Sequence, residues 1–303
     1  MASAGTGAPL WALPIEQLIE RANVLIEALP YLADFRGCTV VVKYGGAAMV
    51  QPELKKAVAQ DIAAMAMVGI KVIVVHGGGK EITELLERMG EKTEFIDGQR
   101  VTDAAALDAA EMVLAGRVAG EIVALLEKCG ARAVGVSGKS AGLLRARKHA
   151  GTRDMGFVGE IEGVDPSILH VLCDNGFVPV VSPIGMGEDG QSYNINADNA
   201  AIAVALAAKA RKLVFLSDIP GVLADPEDPA SLIGTIAREE VEPMIASGVV
   251  SGGMIPKLRA AAAALDVCRK VHILDGRVPH SLLLELFTQQ GIGTQIVRER
   301  PPA

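Results

Sequence analysis

The sequence predicts an α/β fold: a three-layer αβα sandwich in which a mainly parallel sheet lies between two layers of helices. Short apolar, β-branched runs alternate along the chain with segments of helical periodicity, and the loops between them are short, an order typical of parallel sheets covered on both faces. Half of the 303 residues are hydrophobic but only 3% are aromatic, so the core must consist of Ala, Val, Leu and Ile. This length suffices for one large domain or two lobes.

The first predicted element is a helix that precedes the first strand. Residues 1–13 are small and contain proline and glycine, which predicts a disordered tail. From Pro14 to Leu29 apolar residues recur at helical spacing, and Pro30 is predicted to end the helix. The helix either packs on its own domain or serves as an oligomerisation arm, and the residues alone leave both interpretations open.

Strands and helices then alternate along the rest of the chain. The predicted strands cover 39–43, 71–76, 133–136, 178–181, 213–216, 271–274 and 295–297, with a small hairpin over 157–164. The predicted helices cover 53–68, 81–89, 103–128, 168–175 and 197–208, with a break in the third at Gly116 and Gly120. Ligands of such sheets bind beyond the carboxyl ends of the strands, which is where we expect the site.

Composition argues against several functional classes. The net charge of −7 and the scarcity of aromatic residues predict no nucleic-acid partner. The four cysteines lie far apart and are interpreted as small buried hydrophobes in a reducing compartment. We expect a cytoplasmic protein with no membrane partner, since no apolar run reaches spanning length and the N-terminus shows no secretory signal.

Glycine-rich turns directly follow several predicted strands. They stand at Gly45–Gly46, Gly77–Gly79 and Ser217–Asp218, the last of these continuing to Gly221, and a further turn at Gly252–Gly253 leads to a lysine. Consecutive glycines let backbone N–H groups approach a polyanion, and a following helix adds its positive end. The pattern predicts that these turns, with Lys43 and Lys257, surround a phosphoryl group in transfer.

The chain contains no P-loop, because Gly138-Lys139-Ser140 has Ala133 at the position of the upstream glycine. The combination of motifs is more specific than any one of them: Lys43-Tyr44-Gly45-Gly46, His76-Gly77-Gly78-Gly79, Gly98-Gln99-Arg100-Val101-Thr102, Asn194-Ile195-Asn196-Ala197-Asp198, Ser217-Asp218-Ile219-Pro220-Gly221-Val222 and Gly252-Gly253-Met254-Ile255-Pro256-Lys257. This combination resembles the amino-acid kinase family, and within it the N-acetylglutamate kinases, over residues 23–298.

The resemblance implies the amino-acid kinase fold and the ATP-dependent phosphorylation of the side-chain carboxylate of N-acetyl-L-glutamate, a step of arginine biosynthesis. It implies a tail and oligomerisation helix in residues 1–36, an N-lobe for substrate binding and dimerisation in 37–200, and a C-lobe for nucleotide and arginine in 201–303. Mg²⁺ is expected on the nucleotide phosphates without a dedicated protein metal site. The alternatives are a kinase of another small acid, such as glutamate or carbamate, and a non-catalytic amino-acid sensor.

The resemblance also assigns roles to the motif residues. Lys43 and Lys257 would stabilise charge on the moving phosphoryl group. Asp198 would hold both lysines by ion pairing, cap the following helix, or do both. The expected substrate-binding residues are Gly78, Gly79, Arg100, Asn194 and Asn196, with Arg100 as the carboxylate clamp. The expected nucleotide-binding residues are Gly45, Gly46, Ser217, Asp218, Gly221 and Gly253. His76 is interpreted as structural, because a carboxylate nucleophile needs no base at neutral pH.

The N-terminal helix and the C-terminal segments resemble the arginine-sensitive members of the family. The resemblance implies feedback inhibition by arginine at Tyr31, Lys212, His272, Glu285 and Gly291, with Glu285 facing the guanidinium. It also implies a homohexamer arranged as a trimer of dimers. Some arginine-sensitive relatives bind a nitrogen-signalling regulatory protein, so such a partner is a further expectation that the sequence alone does not decide.

Overall fold

The computed structural model describes residues 14–96, 98–225, 227–250, 252–288 and 291–300. Its helices are α1 (Ile15–Phe35), α2 (Pro52–Met67), α3 (Gly79–Met89), α4 (Ala104–Glu111), α5 (Ala119–Lys128), α6 (Ser167–Asp174), α7 (Ala197–Ala207), α8 (Val241–Ala246), α9 (Met254–Ala264) and α10 (Ser281–Phe287). Its strands are β1 (Thr39–Tyr44), β2 (Lys71–His76), β3 (Phe95–Ile96), β4 (Gln99–Arg100), β5 (Ala133–Ser137), β6 (Leu144–Lys148), β7 (Val158–Val164), β8 (Val178–Ser182), β9 (Ile184–Met186), β10 (Ser192–Ile195), β11 (Lys212–Ser217), β12 (Thr235–Ala237), β13 (Lys270–Asp275) and β14 (Thr294–Val297). The tail over 1–13 and Ser251 lie outside the described residues.

The main sheet has eight strands in the order β12-β14-β13-β11-β1-β2-β8-β5. Neighbouring strands pair in parallel except β13 and β14, which confirms the mainly parallel sheet. In the register of the central strands, Lys43 on β1 lies beside Val75 on β2 and Phe215 on β11. The turns that follow these three strands therefore meet at one edge of the sheet.

Alternation along the central strands divides the interior into two cores. Val40 and Val42 face one core, which α2, α3, α4, α5 and α10 cover. Val41 faces the other core, which α6, α7, α8 and α9 cover. Successive side chains of a strand point to opposite faces, and these strands are apolar on both, so both faces require a layer of helices. This arrangement confirms the three-layer sandwich.

The N-terminal helix continues through Pro30 to Phe35, so the prediction that Pro30 ends it is wrong. Proline removes one backbone hydrogen bond from a helix interior, but here the last turn is anchored from outside. Phe35 is buried and meets Phe287 edge-on, with ring centroids 6.3 Å apart. Arg211 donates to the carbonyl oxygen of Asp34 at 2.6 Å. These contacts stabilise the turn beyond the proline.

The rest of α1 does not pack on this chain's described core. Its apolar side chains stay exposed, with Leu25 at 70%, Ile26 at 62% and Leu29 at 57%. This finding argues against the core-packing interpretation for most of the helix and leaves an apolar stripe without a partner in the described chain. Among the described residues, no helix has both the length and the apolar character required to cross a membrane.

Two smaller substructures lie beside the sheet edge. Strands β6, β7, β9 and β10 form a closed barrel, and β3 pairs with β4. The hairpin predicted over 157–164 is wrong, because Val158–Val164 is one continuous strand that pairs with β6 and β10. The long helix predicted over 103–128 is interrupted, as expected near Gly116, by a π-helical turn over Met112–Val118.

Candidate active site

Two lysines and one aspartate meet at the edge of the main sheet. Lys43 lies near the end of β1, Lys257 lies on α9, and Asp198 lies in the first turn of α7. The Lys43 Nζ is 3.0 Å from Asp198 Oδ1, and the Lys257 Nζ is 3.7 Å from Asp198 Oδ2. Lys257 also donates to the Ser217 hydroxyl at the end of β11, at 3.3 Å. One carboxylate therefore stands between two ammonium groups.

The environment of these charges determines what they can do. The side chains of Lys43 and Lys257 are only 14% and 15% exposed. Burial lowers the pKa of Lys257, and the neighbouring Lys43 lowers it further, whereas Asp198 raises it. With both lysines protonated the group carries one net positive charge, which suits a site where negative charge develops on a moving phosphoryl group.

Glycine at both positions of the turn after β1 leaves room for neighbouring charged side chains, and at Gly46 it also permits the left-handed backbone. Gly46 has a φ of +70°, and a Cβ there would lie 2.2 Å from Asp218 Oδ1. A Cβ on Gly45 would lie 2.5 Å from the Lys43 Nζ. The absence of side chains thus lets Lys43 fold back over the turn and lets the Asp218 carboxylate approach it.

Beside this group is a cavity of about 160 Å³. The glycine turn, the end of β10 and several apolar side chains line it: Gly77, Gly78, Gly79, Ile82, Phe95, Gly98, Gln99, Arg100, Leu114, Val158, Pro183, Asn194, Ile195, Asn196 and Ala197. It therefore contains all five residues predicted to bind the substrate. The apolar members, such as Leu114 and Val158, and Thr83 beneath the cavity were missed, because in the sequence they look like ordinary core residues.

Arg100 is the buried cation of this cavity. It is 7% exposed, and its Nη2 donates to the Gly79 carbonyl at 2.8 Å and to the Thr83 hydroxyl at 2.7 Å. The guanidinium carbon lies 4.7 Å from the Phe95 ring centroid. Its buried Nη1 has no hydrogen-bond partner among the described residues, and burial lowers the pKa of the guanidinium. An unsatisfied charged donor of this kind is costly, and a ligand carboxylate would satisfy it.

The two asparagines make different contacts. Asn194 donates to the Thr102 hydroxyl at 3.1 Å. Asn196 caps α7, because its Oδ1 accepts from the backbone N–H groups of Asp198 and Asn199 at 2.9 and 3.1 Å. The capping role considered for Asp198 therefore belongs to Asn196, which leaves the Asp198 carboxylate to the lysines.

His76 is wholly buried at the end of β2. Its Nδ1 lies 2.8 Å from the Gly77 carbonyl oxygen and its Nε2 lies 3.0 Å from the Ser182 hydroxyl. Burial lowers the pKa of His76 to about 4, so the ring is neutral at pH 7. These contacts agree with the structural interpretation of this residue.

A second cavity, of about 430 Å³, begins at Asp218, the residue after the Ser217 that Lys257 contacts. Asp218, Gly221 and Arg277 line it together with apolar residues such as Val250 and Met254. Gly221 has a φ of +151°, and a Cβ there would lie 2.5 Å from the Thr294 hydroxyl. Gly253 directly precedes α9. The sequence did not single out Arg277, whose guanidinium pairs with Asp275 at 2.8 Å.

A third cavity, of about 580 Å³, lies between the end of α1 and the C-terminal strands. It brings together all five residues of the predicted arginine site: Tyr31, Lys212, His272, Glu285 and Gly291. Glu285 accepts from the His272 Nδ1 at 2.7 Å and from the Ile292 backbone N–H at 2.9 Å. The Lys212 Nζ lies 4.6 Å from the Phe35 ring centroid, and burial lowers the pKa of Lys212 to about 8.

Sequence comparisons agree with this geometry. Residues 39–275, most of the chain, match the Amino acid kinase family. The chain belongs to that family. An acetylglutamate kinase from Syntrophomonas wolfei is 51% identical over 286 residues, which cover 94% of this chain and 100% of the relative. Another, from Symbiobacterium thermophilum, is 53% identical over 291 residues, covering 93% and 99%. Within the family, the chain therefore groups with the acetylglutamate kinases.

Solved structures support the same fold. A Neisseria gonorrhoeae N-acetylglutamate synthase, complexed with coenzyme A and N-acetyl-glutamate, has a TM-score of 0.81 and 29% identity, covering 92% of this chain. The chain spans only 64% of that synthase. A Giardia lamblia carbamate kinase bound to AMP-PNP has a TM-score of 0.64 at 18% identity, a likeness of fold alone.

Removing either lysine should slow the reaction of this kinase without unfolding it. Lys43→Ala and Lys257→Ala each delete one charge that we expect to lie next to the moving phosphoryl group, so kcat should fall by roughly 10²–10³. Steady-state kinetics on protein with an unchanged circular dichroism spectrum measure this. Lys71→Ala is the control, because Lys71 pairs with Asp174 on the surface at 2.6 Å. A fall in kcat below about threefold would exclude the lysine concerned from the catalytic group.

Proposed function

We propose that this protein transfers the γ-phosphoryl group of ATP to the side-chain carboxylate of N-acetyl-L-glutamate. A carboxylate oxygen attacks the γ-phosphorus, the bond from that phosphorus to the β–γ bridging oxygen breaks, and N-acetyl-L-glutamyl 5-phosphate and ADP leave. The observation that carries the proposal is the position of the Arg100 cavity next to the two lysines. A carboxylate clamp and a charge-stabilising group are what such a transfer requires.

Each cavity has its own task in this reaction. Arg100 orients the substrate through its α-carboxylate, while the amide groups of Asn194 and Asn196 suit the acetamide and the other polar atoms. The apolar cavity at Asp218 and Gly221 receives the nucleotide. Lys43 and Lys257 stabilise the transferring phosphoryl group, and Asp198 keeps both in position.

Mg²⁺ is expected to enter this site bound to the nucleotide. Among the described residues, no three or more histidine, cysteine or acidic side chains form a group that could hold a metal. The ion would be held mainly by the nucleotide phosphates, whose charge it would neutralise. In the same scheme, residues 37–200 form the lobe for the acid and the dimer contact, and 201–303 the lobe for nucleotide and arginine.

A coupled ADP-release assay tests the proposal. N-Acetyl-L-glutamate should give the highest kcat/KM when it is compared with glutamate, aspartate and carbamate, each with ATP and Mg²⁺. A higher kcat/KM for glutamate or carbamate would mean that this acid, and not N-acetyl-L-glutamate, is the substrate. No ADP release with any of the four acids would favour a non-catalytic amino-acid sensor, although such a sensor has no need for the paired lysines.

Arg100→Lys should change the KM values for the two substrates to different extents. The variant keeps the charge but loses the planar fork, so KM for N-acetyl-L-glutamate should rise by about tenfold or more while KM for ATP changes little. The control is Arg132→Lys, because Arg132 also stacks on a phenylalanine, with its guanidinium carbon 3.9 Å from the Phe177 ring centroid, but lies outside the cavity. If both KM values stay at the wild-type level, Arg100 is not the clamp.

The proposal extends to feedback inhibition by arginine in the third cavity. Glu285 is the group for the guanidinium of arginine, since a carboxylate offers it two parallel acceptors. Lys212 supplies a cation for the α-carboxylate, while Tyr31, His272 and Gly291 complete the wall. The charged pattern of this cavity, acidic at Glu285 and basic at Lys212, supports a ligand that carries both charges.

The exposed stripe of α1 supports an assembly in which this helix joins subunits. An apolar surface of this kind on a helix without a partner marks an interaction site. The assembly is a homohexamer arranged as a trimer of dimers, with α1 as the contact between dimers. A nitrogen-signalling regulatory protein remains a further candidate partner, and co-sedimentation with such a protein would test it.

Arginine inhibition should weaken as the pH rises through about 8. The Lys212 ammonium is charged below its lowered pKa, which is about 8, and neutral above it. The concentration of arginine for half inhibition should therefore increase by up to about tenfold between pH 7 and pH 9. Lys212→Arg is the control, because a guanidinium keeps its charge throughout this range. The same pH dependence in the variant would show that another group titrates.

Deleting residues 1–34 should leave a folded, active and smaller assembly, with a dimer as the expected product. It should also weaken arginine inhibition, because Tyr31 is lost from the third cavity. Light scattering and an arginine titration measure both effects. Tyr31→Ala in the full chain is the control, since it should weaken inhibition without changing the mass. An unchanged mass together with unchanged arginine inhibition would refute the hypothesis that α1 is an oligomerisation arm. An insoluble product would favour packing of α1 on its own domain.

A further inference from the structure

We propose that His76, Ser182 and the backbone carbonyl of Leu114 form a positioning network that sets the shape of the acid-binding cavity. His76 acts in it as a neutral hydrogen-bond donor and not as a base. The identity of the substrate in this inference rests on the proposed function, but the network itself is a property of the folded chain.

The glycine turn is the part of the cavity that most needs such support. Three consecutive glycines, Gly77–Gly79, have no side chains with which to hold their own conformation. Hydrogen bonds to their carbonyl groups come from both sides: His76 Nδ1 reaches the Gly77 oxygen at 2.8 Å, and Arg100 Nη2 reaches the Gly79 oxygen at 2.8 Å. A carbonyl oxygen only accepts, so the contact with Gly77 is a hydrogen bond only if the His76 ring carries its proton on Nδ1.

The other ring nitrogen of His76 connects the turn to the opposite wall. Its Nε2 lies 3.0 Å from the Ser182 hydroxyl, and that hydroxyl also lies 3.0 Å from the Leu114 carbonyl oxygen, a second acceptor to which it can donate. His76 is fully buried and so is Ser182. The single hydroxyl proton of Ser182 thus has two acceptors within reach, one on β2 and one on the π-helical turn.

Leu114 connects this polar network to the shape of the cavity. It lies in the π-helical turn Met112–Val118, a form that is rare and occurs frequently at functional sites. A Cβ on Gly78 would lie 2.7 Å from Leu114 Cδ2, so the wall and the glycine turn are in direct contact. A bond from Ser182 to the Leu114 carbonyl therefore fixes where this wall stands relative to the turn.

The network lies on other elements of the fold than the groups proposed to stabilise the phosphoryl transfer. Those groups lie on β1, α7 and α9, whereas His76, Ser182 and Leu114 lie on β2, β8 and the π-helical turn. Loss of a bond in the network should consequently weaken binding of the acid, while kcat at saturating acid and KM for ATP stay near the wild-type values.

The decisive test is a pair of isosteric replacements at His76. In His76→Asn the amide nitrogen stands near the position of Nδ1 and can still donate to Gly77, whereas in His76→Gln the amide stands near Nε2 and that donor is lost. KM for N-acetyl-L-glutamate should rise by roughly five- to thirtyfold in His76→Gln, the scale of one unsatisfied buried polar group, and clearly less in His76→Asn. Equal KM values in the two variants would overturn the proposal.

Ser182→Ala tests the second half of the network. It should raise KM for the acid on a similar scale, and Ser281→Ala is the control, because Ser281 is buried but its hydroxyl has no partner among the described residues. The pH profile of kcat should keep its wild-type form in all variants. Loss of the acidic limb in the His76 variants, that is, of a fall in kcat at low pH where a base becomes protonated, would identify a general base and contradict the positioning role.

A spectroscopic measurement decides the matter even if the acid is not the proposed one. Nitrogen NMR of the wild-type protein with labelled histidine should show the His76 ring neutral and protonated on Nδ1 between about pH 6 and pH 9, the range in which an ordinary imidazole loses its charge. His76→Asn assigns the signal by removing it. A proton on Nε2, or a ring that titrates in this range, would overturn the network whatever the substrate.

Discussion

The carboxylate of Asp198, held between the ammonium groups of Lys43 and Lys257, is the contact on which the arrangement of the site depends. Two largely buried cations side by side repel each other and lose favourable hydration, and both effects favour loss of a proton from Lys257. Asp198 opposes both effects. Because the three residues come from β1, α7 and α9, the same contact also fixes these elements relative to one another.

The parallel register of the main sheet explains why these groups meet at all. β1 lies between β2 and β11, so the turn at Gly45, the turn at Gly77 and the Ser217–Asp218 step leave the sheet side by side. The barrel and the β3–β4 pair add polar side chains that the main sheet does not supply. Arg100 comes from the β3–β4 pair and Asn194 from the barrel, so the cavity that contains Arg100 is assembled from three separate sheets.

Much of this arrangement could be predicted from the sequence, because apolar runs that end in glycine turns identify both the strands and the site edge. The barrel could not, since strands such as Leu144–Lys148 are short and carry charges in place of an apolar run. Pro30 was misjudged because its helix is held by contacts far along the chain. Motifs identified Asp198 as the partner of the lysines, but the capping role of Asn196 and the wall formed by Leu114 depend on tertiary packing that no local pattern contains.

The end of α1 belongs to two surfaces at once. Tyr31 and Phe35 line the third cavity, while the preceding turns of the same rigid helix expose the apolar stripe. Thermodynamic linkage makes any coupling between two such sites reciprocal. If a ligand of the cavity changes how firmly the stripe is held by another subunit, then that subunit changes the affinity of the cavity by the same factor. The response to the effector would then depend on the concentration of the protein as well as on the concentration of the effector.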